Sequence, residues 1–353
     1  MTPLFIRLRT LPTALVIGVL LLVLVAVAAF SATIGAAGIP LSRLAAALHL
    51  LDGDPAVVVR DQLVLYAVRL PRIVLAAMVG ALLAVAGAIM QGLFRNPLAD
   101  PGLVGVSAGA GFAAALSIVI GDRLLAATLA KLPVEILPAT AFVGALAATS
   151  ILYSLATRGG RTSIAVFLLG GIAIAALANA GIGLTVFMAD DRQLRDITFW
   201  LLGSLGGATW SKVAAVAPFL VAIAVVAPFM ARGLDALVLG ETEAFHLGIA
   251  VERLKRVAIV LIAAMVAAAV SMAGIIVFVG IVVPHLLRLA IGPRHRTLLP
   301  ASLLLGAILL VAADTCARVV AAPAELPIGI LTALTGAPFF LALLMRQRAL
   351  VGL

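Results

Sequence analysis

The chain has 353 residues, of which 64% are apolar and 11% charged, and its formal net charge is +9. Its mean hydropathy is +1.28. Soluble domains are typically about 45–50% apolar and about a quarter charged, so this composition excludes a soluble globular protein. The high apolar content also excludes an intrinsically disordered chain, and the lone cysteine, Cys316, excludes a disulfide scaffold. A polytopic membrane protein remains.

The apolar residues are numerous enough for many membrane spans. A bilayer core about 30 Å thick is crossed by roughly 20 apolar residues in a helix, so the chain could form about ten spans. We expect an all-α fold in which residues 1–353 make one transmembrane domain and the energy source is on another chain. The arginines are spread over loops rather than clustered on one face, so membrane topology explains the positive charge better than nucleic-acid binding does.

The first predicted span covers about residues 11–30 and follows Arg7 and Arg9. Its apolar run exceeds the roughly 7–15 residues of a signal-peptide core, so we expect a retained helix with its N-terminus in the cytoplasm. The segment 31–72 mixes charged residues with leucines at helical spacing, which predicts an interfacial helix. Those leucines are Leu41, Leu44 and Leu48.

Nine further spans are predicted in the rest of the chain, and the eighth of the ten spans in all is short because Pro284 and the run 292–296 interrupt the last third. Their approximate bounds are 73–92, 101–120, 136–156, 164–188, 211–231, 257–272, 282–291, 298–320 and 327–345. With both termini inside, the arginine-rich connections are cytoplasmic, as the positive-inside rule requires. The acidic loops 121–123 and 190–192 are then outside.

Two predicted spans share the same spacing between a methionine and a glycine, which indicates an internal repeat. Met78 precedes Gly87 by nine residues, and Met265 precedes Gly274 by nine residues, each behind a short basic run. The first span starts outside and the second inside, as in the inverted-topology repeats of transporters. Chance similarity between helices rich in alanine and glycine is the alternative explanation.

The chain lacks the motifs of several enzyme classes. No lysine follows a glycine, so there is no Walker A phosphate loop, and His49, His246, His285 and His295 lie in separate segments without a metal-binding spacing. We therefore expect neither a metal site nor a cofactor, and a membrane enzyme is the weaker hypothesis. An ion-gradient-driven secondary transporter is a further alternative, for which Asp314 is the candidate ionisable residue.

Three polar segments stand out against the apolar background. The run 92–102 holds two prolines and could line a gate, although a plain loop would look the same. Asp314 and Arg318 lie four residues apart on one helix face, which suits a structural ion pair as well as a functional role. The segment of about residues 235–252 reads as a short amphipathic turn that could dock a cytoplasmic partner, or as a solvated loop.

Taken together, these segments closely resemble the FecCD-type permease subunits of ABC importers for ferric siderophores, haem and cobalamin. The resemblance runs from Arg69 to about Met345, and the core that it implies covers residues 69–348. Its matching stretches are Arg69-Leu-Pro-Arg72, Gly87 with Met90-Gln91, Asn96-Pro-Leu-Ala-Asp-Pro-Gly-Leu103 with Gly105-Val-Ser107, Leu239-Gly-Glu241, Val283-Pro-His285, Leu298-Leu-Pro300, Ala313-Asp314, Ala317-Arg318 and Glu325-Leu-Pro-Ile-Gly329.

The resemblance implies a ten-helix type II importer permease of the bacterial inner membrane. Such permeases work as homodimers with a translocation path at the two-fold axis, two cytoplasmic ATP-binding subunits and a periplasmic substrate-binding protein. It also implies roles for individual residues. The residues implied in docking of the binding protein are Arg69, Arg72 and Arg318. Those implied in the translocation gate are Asn96, Leu98, Thr162 and Ser163. Those implied in coupling to the ATPase are Leu239, Gly240, Glu241, Ala244, Leu247 and Gly248.

The segments 94–97 and 198–210 are most similar to the haem branch of this family. The resemblance therefore implies haem as the cargo, translocated from periplasm to cytoplasm by alternating access. A ferric siderophore or cobalamin, carried by the same mechanism, is the alternative.

Overall fold

A computed structural model of the chain describes residues 12–35, 38–52, 54–121, 135–322 and 324–351. The start of the first predicted span lies outside these residues, together with Arg7 and Arg9. Residues 122 and 123 of a predicted outer loop lie outside them as well.

Within these ranges the chain forms fourteen α-helices and one two-stranded hairpin. The helices are α1 Thr13–Thr33, α2 Leu41–Ala47, α3 Pro55–Val64, α4 Leu70–Leu93, α5 Val106–Leu116, α6 Ile136–Ala156, α7 Ile164–Met188, α8 Asp191–Leu202, α9 Trp210–Leu237, α10 Glu241–His246, α11 Val251–Ala273, α12 Val279–Ile291, α13 His295–Val320 and α14 Ile328–Val351. The hairpin strands are β1 Thr157–Arg158 and β2 Arg161–Thr162, which are antiparallel, with Thr157 opposite Thr162.

Among the residues that the structure describes, ten apolar helical segments are present, which is consistent with the ten that the sequence predicts. Seven are long enough to cross a membrane by length and composition, and three shorter ones, Val106–Gly121, Val279–Ile291 and Ile328–Ala342, make up the number. The short apolar helix expected for the eighth span is present as α12. The all-α polytopic fold is therefore confirmed, and the predicted bounds of the spans at 136–156 and 164–188 agree with α6 and α7 to the residue.

The second span begins earlier than predicted. A π-helical turn, Leu65–Arg69, joins α3 to α4, so one helical segment runs from Pro55 to Leu93. Its 39 residues extend over about 58 Å, nearly twice the thickness of a bilayer core. The helix thus includes Arg69 and Arg72, which the sequence places before the span, because the wider turn lets the helix continue through Pro71.

Two helices outside the spans differ in how well the sequence predicts them. The interfacial helix expected in segment 31–72 is present as α2, although Leu48 lies beyond its end. The helix α8 was not predicted. Its signal is the pair Asp190 and Gln193, which form a capping box at its first turn.

The core of the molecule is built around α4 and α11, the two most deeply buried spans. Glycines let neighbouring backbones come close to α4. A Cβ at Gly87 would overlap the carbonyl oxygen of Gly280, and a Cβ at Gly80 would overlap that of Gly306. Such close approach increases the van der Waals contact that holds helices together in lipid, where apolar burial gives no driving force.

The bundle has two ends, which we name by a residue at each. At the Arg72 end, α4 begins near the end of α13, since Arg72 contacts Asp314. At the Lys255 end, α11 begins beside the hairpin, and His295 at the start of α13 donates a 2.7 Å hydrogen bond from Nδ1 to the carboxylate of Asp235 in α9. Hence α4 and α11 run in opposite directions, as the internal repeat of the Met and Gly spacing predicts.

Candidate functional site

A cluster of charged side chains lies at the Arg72 end of the bundle. The guanidinium group of Arg72 is 2.9 Å from Asp314 and 2.8 Å from Glu325. Asp314 is 1% exposed, whereas the side chain of Glu325 is 48% exposed. Arg72 therefore joins one fully buried carboxylate to one that water can reach.

Two further arginines at this end, Arg318 and Arg69, tie the cluster to the end of α1. Arg318 is 3.1 Å from Asp314 and donates a 3.0 Å hydrogen bond to the carbonyl oxygen of Ile34. Arg69 is 4% exposed and donates to the carbonyl oxygen of Ala32. Asp314 thus lies between Arg72 and Arg318, which is the structural ion pair that the sequence allowed as an alternative.

These contacts bear on the predicted docking role of Arg69, Arg72 and Arg318. The structure brings the three guanidinium groups together at one end of the bundle, but it also gives each of them partners within the chain. A partner protein's carboxylate would have to compete with Glu325, the exposed member of the cluster. The docking role stays a prediction.

The predicted gate segment between α4 and α5 is a loop of tight turns. The side chain of Asn96 accepts a 2.9 Å hydrogen bond from the backbone N–H of Leu98, and that of Asp100 accepts one of 2.8 Å from Gly102. Burial raises the pKa of the Asp100 carboxyl, and the Gly102 N–H acts in the opposite direction. The loop is therefore held by its own polar side chains.

The hairpin supplies the other predicted gate residues, Thr162 and Ser163. Thr162 is buried, and its hydroxyl is 3.0 Å from that of Thr157 across the two strands. Ser163 accepts a hydrogen bond from the N–H of Val166 and so caps α7. One turn further on, the ring of Phe167 lies 6.1 Å from that of Phe94, which brings the hairpin and the gate loop to the same end of the bundle.

The helix α10 projects from the same end and is only six residues long. Ala244 is fully buried and fixes one side of it, while Leu239, Phe245 and Leu247 are each more than 60% exposed. Backbone φ is +132° at Gly240, a value that side chains other than that of glycine rarely allow. The predicted coupling segment is thus a compact helix with an exposed apolar surface.

Lys255 on α11 connects these parts, and sequence reasoning missed it. Its ammonium group lies 2.6 Å from Glu241 at the start of α10, 3.1 Å from Glu252, and 3.4 Å from the carbonyl oxygen of Thr162. The residue is 3% exposed. Glu241 was a predicted coupling residue and Thr162 a predicted gate residue, so one side chain contacts both sets.

The described part of the chain holds no group of three or more His, Cys, Asp or Glu side chains arranged to bind a metal ion. His285 is buried with no hydrogen-bond partner for either ring nitrogen, and its ring packs against Phe339 at 5.9 Å.

Comparison with known proteins decides the family. Residues 9–346 match the FecCD transport family. The chain belongs to this family. Its sequence is 46% identical to the hemin transport system permease protein HmuU of Yersinia pestis over 80% of this chain and 83% of that protein. It is equally identical, at 46%, to the cobalamin import system permease protein BtuC of Halobacterium salinarum, over 80% of this chain and 73% of that protein.

A solved structure supports the same assignment. The chain superimposes with a TM-score of 0.80 and 32% sequence identity on an inward-facing metal-chelate type ABC transporter, covering 94% of this chain and 98% of that one. The FecCD-type resemblance is thereby confirmed, and the identity to the hemin permease HmuU supports the resemblance to the haem branch. The protein is an ABC importer permease, a multi-span transport subunit of the inner membrane.

Proposed function

We propose that this chain is the permease of an ATP-driven importer that moves haem from the periplasm to the cytoplasm. Two copies form the translocation path at their shared two-fold axis. Two cytoplasmic ATP-binding subunits supply the energy, and a periplasmic binding protein delivers the cargo. The permease itself makes and breaks no covalent bond.

The observation that carries this proposal is the helix α10. It stands outside the spans, is fixed by the buried Ala244, and presents Phe245 to the surroundings, while Leu239 and Leu247 are exposed in the residues that flank it. Exposed apolar side chains on and beside a short, fixed helix fit a protein partner better than they fit water. Glu241 links the same helix to Lys255, so a partner bound there is connected to the bundle.

The distribution of arginines supports placing the Lys255 end in the cytoplasm. Eight exposed arginines occupy loops and helix ends there, and cytoplasmic loops of membrane proteins are rich in such residues. They are Arg95, Arg158, Arg161, Arg232, Arg253, Arg256, Arg294 and Arg296. In this orientation α10 faces the ATP-binding subunits and the Arg72 end faces the binding protein.

The gate loop and the hairpin would close the path at its cytoplasmic end. Asn96 and Leu98 belong to the loop, and Thr162 and Ser163 belong to the hairpin. Small polar groups at a constriction can close a path for a large flat cargo without binding it tightly, which favours release. Nucleotide binding would bias the permease between outward-open and inward-open states by as much as the partners differ in affinity for the two.

The Arg72 end would receive the binding protein through Arg69, Arg72 and Arg318. Arginine forms bidentate, charge-assisted hydrogen bonds with carboxylates, which orient a partner as well as attract it. Because Glu325 is half exposed and bonded to Arg72, a carboxylate on the binding protein could take its place.

Haem is the proposed cargo because the segments 94–97 and 198–210 are most similar to the haem branch. Ferric siderophores and cobalamin are the alternative cargoes, and the identity shared with a cobalamin permease gives the latter equal weight in the overall comparison. An ion-gradient-driven transporter is less well supported, because Asp314 lies between Arg72 and Arg318 instead of standing unpaired within a span.

The test of the cargo is uptake into liposomes that hold the permease with its ATP-binding subunits. Binding protein loaded with haem, a ferric siderophore or cobalamin is offered in parallel, with ATP enclosed. We expect accumulation of haem. Uptake of another cargo alone would retain the mechanism and contradict the choice of haem.

A further inference from the structure

The buried ammonium group of Lys255 holds three structural elements at once. Its acceptors are Glu241 of α10, Glu252 of its own helix and the carbonyl oxygen of Thr162 in the hairpin. An ammonium group has three N–H donors and no acceptor, so these three partners use its full capacity.

Glu252 completes a ring with the same hairpin residue. One of its carboxylate oxygens accepts a 3.1 Å hydrogen bond from the backbone N–H of Thr162, and the other is 3.1 Å from Lys255. Both backbone groups of Thr162 are therefore held from α11, the N–H by Glu252 and the carbonyl by Lys255. The hairpin cannot shift relative to α11 without breaking these bonds.

The buried position of the Lys255 ammonium group indicates a role beyond stabilising the fold. A lysine that is 3% exposed has lost most of its hydration, and replacing a buried ion pair as a whole by apolar side chains is often neutral for stability. An apolar side chain would not bond Glu241 and Thr162 together. In a site of low dielectric constant such bonds are strong, and they tie the motion of one element to that of the other.

We propose that Lys255, with Glu252, is a positioning residue that transmits displacement of α10 to the hairpin and thereby to the gate residues Thr162 and Ser163. The inference rests on the proposed function, in which α10 receives the motion of the ATP-binding subunits. It adds the residue through which that motion reaches the gate. Thr162 then moves with α10 as one unit when nucleotide binds.

The experiment uses the complete importer in liposomes and compares wild type with Lys255→Met, which keeps the length of the side chain and removes its charge. We expect ATP hydrolysis to be retained while cargo transported per ATP falls by about tenfold, a typical size for a lost coupling between two sites. The control is Lys212→Met. Lys212 is also ion-paired, 3.2 Å from Glu135, but at the Arg72 end, and its loss should leave the ratio unchanged.

A distance measurement separates coupling from mere stability. Spin labels are placed at Arg158→Cys in the hairpin and Glu243→Cys on α10, in a Cys316→Ser background. In wild type we expect the distance between the two labels to stay constant when nucleotide binds, because the elements move together. In Lys255→Met we expect it to change.

A milder variant, Glu241→Gln, tests the same link if Lys255→Met does not fold, because Glu241 lies at the surface of the bundle. It should lower cargo per ATP in the same direction, and combining it with Lys255→Met should add little. Wild-type cargo per ATP in Glu241→Gln would overturn the proposal, and so would an unchanged ratio with a constant label distance in Lys255→Met. Failure of the wild-type importer to take up any cargo would instead contradict the proposed function.

Discussion

Arg72 and Asp314 form a buried ion pair between the start of α4 and the end of α13, with a guanidinium nitrogen 2.9 Å from a carboxylate oxygen. The two residues are 242 positions apart in the sequence. Since the two helices run in opposite directions, this pair fixes where the end of one meets the beginning of the other. Arg318 binds the same carboxylate, so Asp314 is the buried anion that the two arginines share, while Arg72 also binds the exposed Glu325.

We expect Asp314→Ala to destabilise the protein by about 3–5 kcal/mol, because it leaves Arg72 and Arg318 without their buried partner. Chemical unfolding in detergent micelles measures the change. The matched control is Asp196→Ala, whose partner Arg192 is 4.0 Å away on an exposed surface and whose loss should cost less than about 0.5 kcal/mol. Equal effects of the two substitutions would show that the buried pair does not hold α4 to α13.

Removing the carboxylate that competes for Arg72 should strengthen docking of the binding protein. We expect Glu325→Gln to raise its affinity for the reconstituted importer, and Arg72→Glu or Arg318→Glu to lower it and to weaken its salt dependence. Surface plasmon resonance at two salt concentrations measures both effects. Glu135→Gln, which alters an exposed carboxylate paired with Lys212, serves as the control. Unchanged affinity in all of the variants would reject the docking site.

The contact between the backbones of α4 and α12 should not tolerate one added methyl group. Because a Cβ at Gly87 would overlap the carbonyl of Gly280, we expect Gly87→Ala to cost about 1–3 kcal/mol of stability. Gly183→Ala on α7 is the matched control, since no atom lies within 4 Å of its added Cβ. Thermal unfolding of both variants in micelles makes the comparison, and a stable Gly87→Ala protein would contradict the close packing.

The exposed apolar surface of α10 should be needed for assembly with the ATP-binding subunits. We expect Phe245→Asp to reduce co-purification of these subunits strongly, because it places a charge among contacts that must lose water. The control is Leu50→Asp, which changes a side chain of similar exposure, 73% against 67%, at the Arg72 end. Normal assembly of the Phe245→Asp permease would show that the partner binds elsewhere.

The spans could be predicted from the sequence because an apolar run of about 20 residues has few other uses. The bounds of α6 and α7 follow from such runs alone. The start of α4 could not be predicted in this way, since a helix that continues beyond the membrane through Pro71 depends on a π-helical turn with no simple sequence signal.

The sequence predicts some residues of the candidate site and misses the contacts that connect them, for a physical reason. The residues of α10 and the gate loop lie in short segments with recognisable patterns, so their neighbours along the chain identify them. Lys255 is identified by its contact with Thr162, which is 93 residues away in the sequence. Arg72 is identified by its contact with Glu325, which is 253 residues away. Such partners are known only once the chain is folded.

The measurement that tests the central claim most directly compares two energy sources for the same liposomes. Permease assembled with its ATP-binding subunits and binding protein is given haem, either with enclosed ATP or with an imposed ion gradient and no ATP. The account predicts haem uptake with ATP only, and none by the permease alone under either condition. Uptake driven by the gradient without ATP would contradict it.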